Sequence, residues 1–192
     1  MSAKNIMRVL LQASPEQYEQ GLTAYQGYHD TLKVTAAKND LDFEKVVAAF
    51  SALSPGNKLE LNFKDLDTLI VAVKTFKEAS SIRLHCYSSC TQRAYEYLTG
   101  WETFKPTRGN SKTWNFYNNI LNPKSPDYVT IDRHAIEVWH GKEISEEARK
   151  KYFYKTKYNQ IVDDFKKVVK QTGLLPQQIQ AITWYTWKER SK

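Results

Sequence analysis

Apolar side chains recur at helical spacing along most of this chain, and that periodicity restricts it to a packing of helices. The most regular stripe is Tyr158, Ile161, Val162, Phe165, Val168 and Val169. It gives one helix an apolar face and directs Lys166, Lys167 and Lys170 away from it. Gly173 ends this helix and Pro176 opens the last one. Ile179, Ile182, Trp184, Tyr185 and Trp187 make that last helix apolar nearly all round, the pattern of a helix buried among others. Near the start, Ser14-Pro15-Glu16-Gln17 combines a capping hydroxyl, a proline at the first helical position and a glutamine three residues after the cap. Tyr18, Leu22, Tyr25, His29 and Leu32 continue from it, so His29 reads as a half-buried packing residue. Asp42 opens a helix with Phe43, Val46, Val47, Phe50 and Leu53 on one face, and Ser54-Pro55-Gly56-Asn57 stops it. Asn62 reads as the cap of a third helix carrying Leu66, Leu69, Ile70, Val73 and Phe76. A fourth is expected from Ile82 to Leu98, closed by Gly100. Leu59 to Phe63 alternates too briefly to establish a strand. The expectation is an all-α chain of about eight to ten helices with short connections.

At 192 residues the chain forms one domain, residues 1–192, or two small lobes sharing a cleft. No apolar run reaches the roughly 18–20 residues of a membrane span. The first residues, MSAKNIMRVLLQAS, hold only a short apolar piece broken by Arg8, so no signal peptide and a cytoplasmic location are expected. Two cysteines, Cys86 and Cys90, are too few for a disulfide framework. Four apart on the expected helix, they read as a reduced structural pair. His85 beside them completes no metal-ligand pattern, and neither a metal nor a cofactor is expected. The net charge of +7 is unevenly spread. Residues 142–192 hold 12 Lys/Arg against 6 Asp/Glu, whereas residues 1–141 hold 16 against 15. Such asymmetry suits an anionic partner, nucleic acid before a membrane surface, and equally a solvated basic face.

The stretch from Gly109 to Gly141 is the most structured in meaning. A helix opens near Lys112, and Asn122-Pro123 stops it, because proline cannot continue the hydrogen-bond ladder. The turn-forming loop NPKSPDY follows. Val129, Thr130 and Ile131 then form a buried lead-in to Asp132. Asp132 fits two roles, a helix N-cap and a catalytic carboxylate held at a helix start, and one residue can serve both. Further on, Ser145-Glu146-Glu147 marks another helix start, and the run from Arg149 to Tyr158, RKKYFYKTKY, interleaves cations with aromatics. That composition suits phosphate contact with stacking, or an amphipathic helix that buries most of its rings.

Lys112-Thr113-Trp114-Asn115 followed by Val129-Thr130-Ile131-Asp132-Arg133-His134 resembles the helix-hairpin-helix DNA glycosylase superfamily, in its endonuclease III-like branch. That family has a K-T-x-N helix start and, about twenty residues on, a [VI]-D-x-H segment. The resemblance is most specific over residues 107–141. It extends more weakly to Val46–Lys58, similar to an early helix and its turn, and to Arg93–Gly100, similar to the helix before the hairpin. It implies an all-α, helix-hairpin-helix glycosylase-like bundle with two helical lobes flanking a cleft. It also implies Lys112 as nucleophile and Asp132 as catalytic aspartate. Backbone amides of the hairpin contact DNA phosphate in that family, which points to Arg108, Gly109, Asn110 and Ser111 here. The family hairpin reads roughly L-P-G-x-G, whereas this chain has Lys105-Pro106-Thr107-Arg108-Gly109-Asn110-Ser111 with a single glycine. The four-cysteine cluster-binding tail of some members is absent.

The function expected is a DNA glycosylase acting on a flipped-out base, with or without abasic-site lyase activity. Its partner is duplex DNA with a damaged, modified or abasic site, met by a monomer. Lys150, Lys151, Lys155 and Lys157 are the expected phosphate contacts of the basic quarter. Two alternatives stay open: a non-catalytic DNA-binding protein of the same fold, and an enzyme processing an unusual modified base. A lysine attacks the sugar C1′ only with a neutral amine, and a neighbouring carboxylate can take its proton and stabilise the cationic sugar. His134 is expected to hold the turn locally and take no part in catalysis.

Overall fold

A computed structural model describes residues 2–105 and 111–190, and in it the side chain of Lys155 is left aside. Among the described residues the chain is all-helical, as the periodicity predicts. The helices are α1 (Ser2–Leu10), α2 (Pro15–Asn39), α3 (Phe43–Leu53), α4 (Leu59–Lys74), α5 (Ser88–Thr99), α6 (Ser111–Leu121), α7 (Arg133–His140), α8 (Glu146–Lys150), α9 (Lys155–Thr172) and α10 (Pro176–Arg190). Single turns of 3-10 helix lie at Ala79–Ser81 and Lys151–Phe153. None of the described helices is long and apolar enough to cross a membrane.

The chain divides into two compact units. The first comprises Met1–His29 and Thr107–Lys192, and the second Asp30–Pro106. The first unit has its core where α1 packs on α7, α9 and α10. Ile6 and Val9 of α1 meet Ile136 and Val138 of α7, Ile161, Phe165 and Val168 of α9, and Ile179 and Ile182 of α10, all without exposed surface. The stripe on α9 therefore lies on the core side. Helix α1, whose apolar stripe spans only nine residues, is pinned by Asn5 Nδ2 donating to the Trp139 carbonyl at 3.0 Å. Arg8 donates to the Gly141 carbonyl at 3.3 Å, so the residue that interrupts the apolar run closes the end of α7. The capping box that opens α2 forms as expected: Gln17 N–H donates to Ser14 Oγ at 3.2 Å, and Ser14 N–H to Gln17 Oε1 at 2.9 Å.

In the second unit α3 is the central element, packed against α4 and most extensively against α5. Val46, Val47, Ala49, Phe50 and Leu53 are fully buried. Phe50 also meets Phe63 at 4.6 Å between ring centroids. Three expectations need correction here. Phe76 does not belong to the buried face of α4: it lies beyond the helix end at Lys74, with φ of 56°, and is 93 % exposed. Asn62 does not cap α4, which begins at Leu59; it is buried one turn in and donates to the Phe50 carbonyl at 3.0 Å. Its polarity marks a helix-to-helix bond and not a helix start. Residues Ile82 to Tyr87 are not helical either, and α5 begins only at Ser88. The reason is Asp65, which is 1 % exposed. Its carboxylate accepts the His85 backbone N–H at 3.1 Å and the His85 Nδ1–H at 2.7 Å, and so holds this segment out of a helix. Cys86 consequently precedes the helix that carries Cys90, and the two do not share a helical face. The two cysteines are not joined by a disulfide.

Candidate active site around Tyr158

Helix α6 stops at Leu121, immediately before Asn122-Pro123. After the loop, Val129, Thr130 and Ile131 run through the core with 0 %, 4 % and 0 % exposure. A buried extended segment leaves backbone groups without helical partners, and these must be satisfied by something else. Asparagines one turn apart on α6 supply part of the answer. Asn115 Nδ2 donates to the Val129 carbonyl at 2.8 Å, and Asn119 Nδ2 donates to Thr130 Oγ1 at 3.0 Å. Thus the asparagine of Lys112-Thr113-Trp114-Asn115 is bonded to the first residue of Val129-Thr130-Ile131-Asp132.

Tyr158 of α9 serves the same segment. Its hydroxyl, in a residue only 3 % exposed, accepts the second Asn115 Nδ2–H at 3.0 Å and the Ile131 N–H at 3.2 Å. Its own proton is directed to the carbonyls of Val129 at 3.3 Å and Ser111 at 3.5 Å. One oxygen therefore touches the residue before Lys112 and the residue before Asp132. Burial, with a smaller push from the Asp132 charge, drives the Tyr158 phenol well above its ordinary pKa. The same causes act on Tyr25, whose hydroxyl donates to Gln180 Oε1 at 2.9 Å. Both phenols stay neutral and act as hydrogen-bonding groups.

Asp132 is the N-cap of α7: its Oδ1 accepts the Ala135 N–H at 2.8 Å. The capping role is thus realised. Lys112 sits half-buried in the first turn of α6, and Ser111 is the first residue of that helix. His134 lies half-buried against Trp184, edge to face at 6.1 Å. Its Nε2 accepts from Arg133 Nε at 3.2 Å, and its Nδ1 faces Glu137 Oε2 at 3.7 Å. Burial lowers the His134 pKa, with the Asp132 charge opposing, so the ring is neutral at physiological pH.

Arg108, Gly109 and Asn110 lie outside the described residues, as does the side chain of Lys155. Lys150 ends α8, Lys151 begins the 3-10 turn and Lys157 lies in the first turn of α9; all three are exposed. The run from Arg149 to Tyr158 is not one amphipathic helix. It breaks at the 3-10 turn, burying Tyr152 and Tyr158 while Phe153 and Tyr154 remain 40 % and 70 % exposed. Glu137 links this region to α7: buried at 6 % exposure, it accepts from Arg149 at 2.6 Å and from Trp187 Nε1 at 3.1 Å. Tyr158, Asn119 and Glu137 escape a sequence reading. Only the four-residue spacing of Asn115 and Asn119, two polar groups on one face of a helix with a buried partner, signals part of the network. Among the described residues, no group of three His, Cys, Asp or Glu side chains is placed to hold a metal ion.

Residues 1–191 match a family of unknown function, DUF7178, and the chain belongs to that family. Compared with curated proteins and with solved structures, it matches none.

Proposed function

We propose that this chain is a DNA glycosylase with abasic-site lyase activity, acting on a base turned out of the duplex, and that its helices follow the helix-hairpin-helix glycosylase arrangement. The observation that carries the reading is the Tyr158 hydroxyl, bonded to the Ile131 N–H and within 3.5 Å of the Ser111 carbonyl. Through this hydroxyl the first turn of α6, which bears Lys112, and the lead-in to Asp132 share one hydrogen-bonding partner, and that supports the reading. A nucleophile and its proton acceptor must be held on rigid elements in a fixed relation, and this junction provides one. In the proposed step, Asp132 takes a proton from the Lys112 ammonium. The neutral amine forms a bond to C1′ as the C1′–N bond breaks. The electron pair of that bond leaves with the base, which is protonated from water. The C1′-bound ammonium loses a proton to the hydroxide left when water protonates the base. Its lone pair then forms the C=N bond as the C1′–O4′ bond breaks, and Asp132 returns its proton to O4′, giving an iminium between Lys112 and the sugar. The target base has to leave the stack because its glycosidic bond is inaccessible within the duplex. Lys150, Lys151, Lys155 and Lys157, with Arg108 to Ser111 at the hairpin position, are the proposed contacts to the phosphate backbone.

Borohydride tests the reading. It reduces an iminium to a stable amine, so wild-type protein incubated with abasic-site duplex and borohydride is expected to give a covalent protein–DNA complex. Lys112→Ala is expected to give none while folding normally. Equal trapping by the variant removes Lys112 from the role. One observation favours a second reading, a non-catalytic DNA-binding protein of the same fold: the Asp132 bond to Ala135 N–H already accounts for an aspartate at this position. Duplex binding without trapping or base release on any substrate selects that reading.

A further inference from the structure

The junction between α8 and α9 offers a surface that the excision chemistry does not use. Residues 149–158 contain Arg149, Lys150, Lys151, Lys155 and Lys157 and no acidic residue. Arg149 is committed to Glu137. Among the described residues, Lys150, Lys151 and Lys157 form no ion pair, so their charges stand unneutralised. Between these cations the backbone makes a single 3-10 turn, Lys151–Phe153, and then enters α9 at Tyr154. The turn splits the four rings of the segment into two kinds. Tyr152 packs inward against Trp139 and His140, at 5.7 Å and 4.9 Å between ring centroids, and Tyr158 binds the backbone of the candidate site. Phe153 and Tyr154 point outward, adjacent in sequence, 40 % and 70 % exposed. Tyr154 occupies the N-cap position of α9 without making a capping bond, and the first turn of α9 holds no acid. A residue with a side-chain oxygen that can cap is favoured there, and a large exposed ring stabilises nothing in the fold at that position.

We infer that Phe153 and Tyr154 form a stacking platform for unpaired nucleotides, with Lys150, Lys151 and Lys157 following the phosphates. The inference rests on the reading above for its partner class, nucleic acid, and requires none of its catalytic chemistry. Every nucleobase presents a flat π-face, so stacking on exposed rings is tolerant of sequence, while the surrounding cations track the backbone. A paired duplex offers its base faces only at its ends; unpaired or extruded nucleotides offer them everywhere. Arg149 is neutralised by Glu137, and Glu146 and Glu147 open α8, but Lys150, Lys151 and Lys157 are complementary to phosphate. An anionic membrane surface would also attract the cations. A two-ring turn, however, presents little of the continuous apolar face by which interfacial helices insert.

The test uses the full-length chain and an oligothymidylate of about a dozen nucleotides, a length in the range that one single-strand binding module covers. Binding is read by fluorescence anisotropy for wild type, Tyr154→Leu, Tyr154→Trp and the double variant Phe153→Leu/Tyr154→Leu. Leucine keeps the apolar bulk and removes the π-face. Each ring removed is expected to weaken oligothymidylate binding about tenfold, with the slope against salt unchanged because no charge is removed. Tyr154→Trp is expected to restore wild-type affinity. Equal affinity of wild type and the leucine variants for the single strand overturns the inference. So does ring-dependent binding to vesicles of phosphatidylcholine and phosphatidylserine in place of oligothymidylate. Borohydride trapping on abasic duplex is scored separately. Ring-dependent single-strand binding without trapping or base release defeats the glycosylase reading alone, and trapping with ring-independent binding defeats the platform alone.

Discussion

Replacing Tyr158 with phenylalanine deletes one oxygen and leaves the ring in place, so its effect isolates the hydrogen bonds at the centre of the candidate site. The hydroxyl accepts from two donors, the Ile131 N–H and one Asn115 Nδ2–H. Ile131 has no exposed surface, and Tyr158 itself is 3 % exposed, so water does not readily replace the missing acceptor. The Val129 carbonyl keeps its bond from Asn115 and is not orphaned. The account is therefore one buried donor without a partner, the Ile131 N–H, costing about 1–3 kcal/mol, a smaller cost for the half-buried Asn115 N–H, and no cavity term because the ring is kept. A total of about 3 kcal/mol is expected, which for a chain of this size lowers the melting temperature by on the order of 10 °C. Thermal unfolding followed by circular dichroism measures it. Borohydride trapping per folded molecule, at a temperature where both proteins are folded, is expected to fall as well, because the segment leading to Asp132 loses its tie to the start of α6. A variant as stable as wild type would refute the assignment of Tyr158 as the clamp. A destabilised variant with undiminished trapping would separate the clamp from catalysis.

The other expectations are briefer. Asp132→Asn keeps a capping side chain and removes the charge, so melting is expected to change by less than about 1 kcal/mol while base release and trapping are lost; preserved activity returns Asp132 to a purely capping role. Gly21→Ala is expected to cost about 3 kcal/mol or more in urea unfolding, because a Cβ there would sit 2.5 Å from the backbone N and Cα of Ile182 and force α2 and α10 apart. Gly27→Ala on the same helix, where a Cβ meets nothing within 4 Å, is expected to stabilise by about 0.5–1 kcal/mol, so a shared sign for the two changes contradicts the packing argument. Neutralising Lys150, Lys151, Lys155 and Lys157 together is expected to flatten the dependence of log K for duplex DNA on log salt, by roughly 0.9 for each phosphate that the variant no longer neutralises; an unchanged slope leaves these charges as a solvated face.

Helix identity was legible because it depends on local spacing. Ser14 to Gln17 forms its capping box, Pro123 ends α6, and glycines at 100, 141 and 173 close α5, α7 and α9 with φ of 81°, 75° and 74°. What failed depends on contacts between segments distant in sequence. Nothing near residue 85 reveals that Asp65 will bind its amide and hold Ile82 to Tyr87 outside α5. Asn62 looks like a cap because asparagine commonly is one, yet its partner is a carbonyl on α3. Helix α1 does carry apolar residues at helical spacing, Ala3, Ile6, Met7 and Leu10, but over only nine residues, and α7, α9 and α10 bury that face. At the candidate site the two ends of the motif were legible and their connection was not. Lys112, one of 21 lysines, and Asp132 are singled out only by the resemblance, whereas Tyr158 is one of 12 tyrosines and nothing local separates it from the others.

The capping role of Asp132 bears directly on whether it can also act as a proton acceptor. A cap uses one carboxylate oxygen: Oδ1 takes the Ala135 N–H, and no hydrogen bond among the described residues engages Oδ2. The cap bond fixes the side-chain rotamer, so the second oxygen is held in a constant direction. The approach is equally constrained, since Ile131 is bound to Tyr158 and Val129 to Asn115. A carboxylate on a mobile loop would need to be ordered before each proton transfer, and this one is ordered by the fold. In the proposed reaction Asp132 would serve as cap and proton acceptor together: the cap bond would hold the carboxylate in place, and the charge that asparagine lacks would act on Lys112.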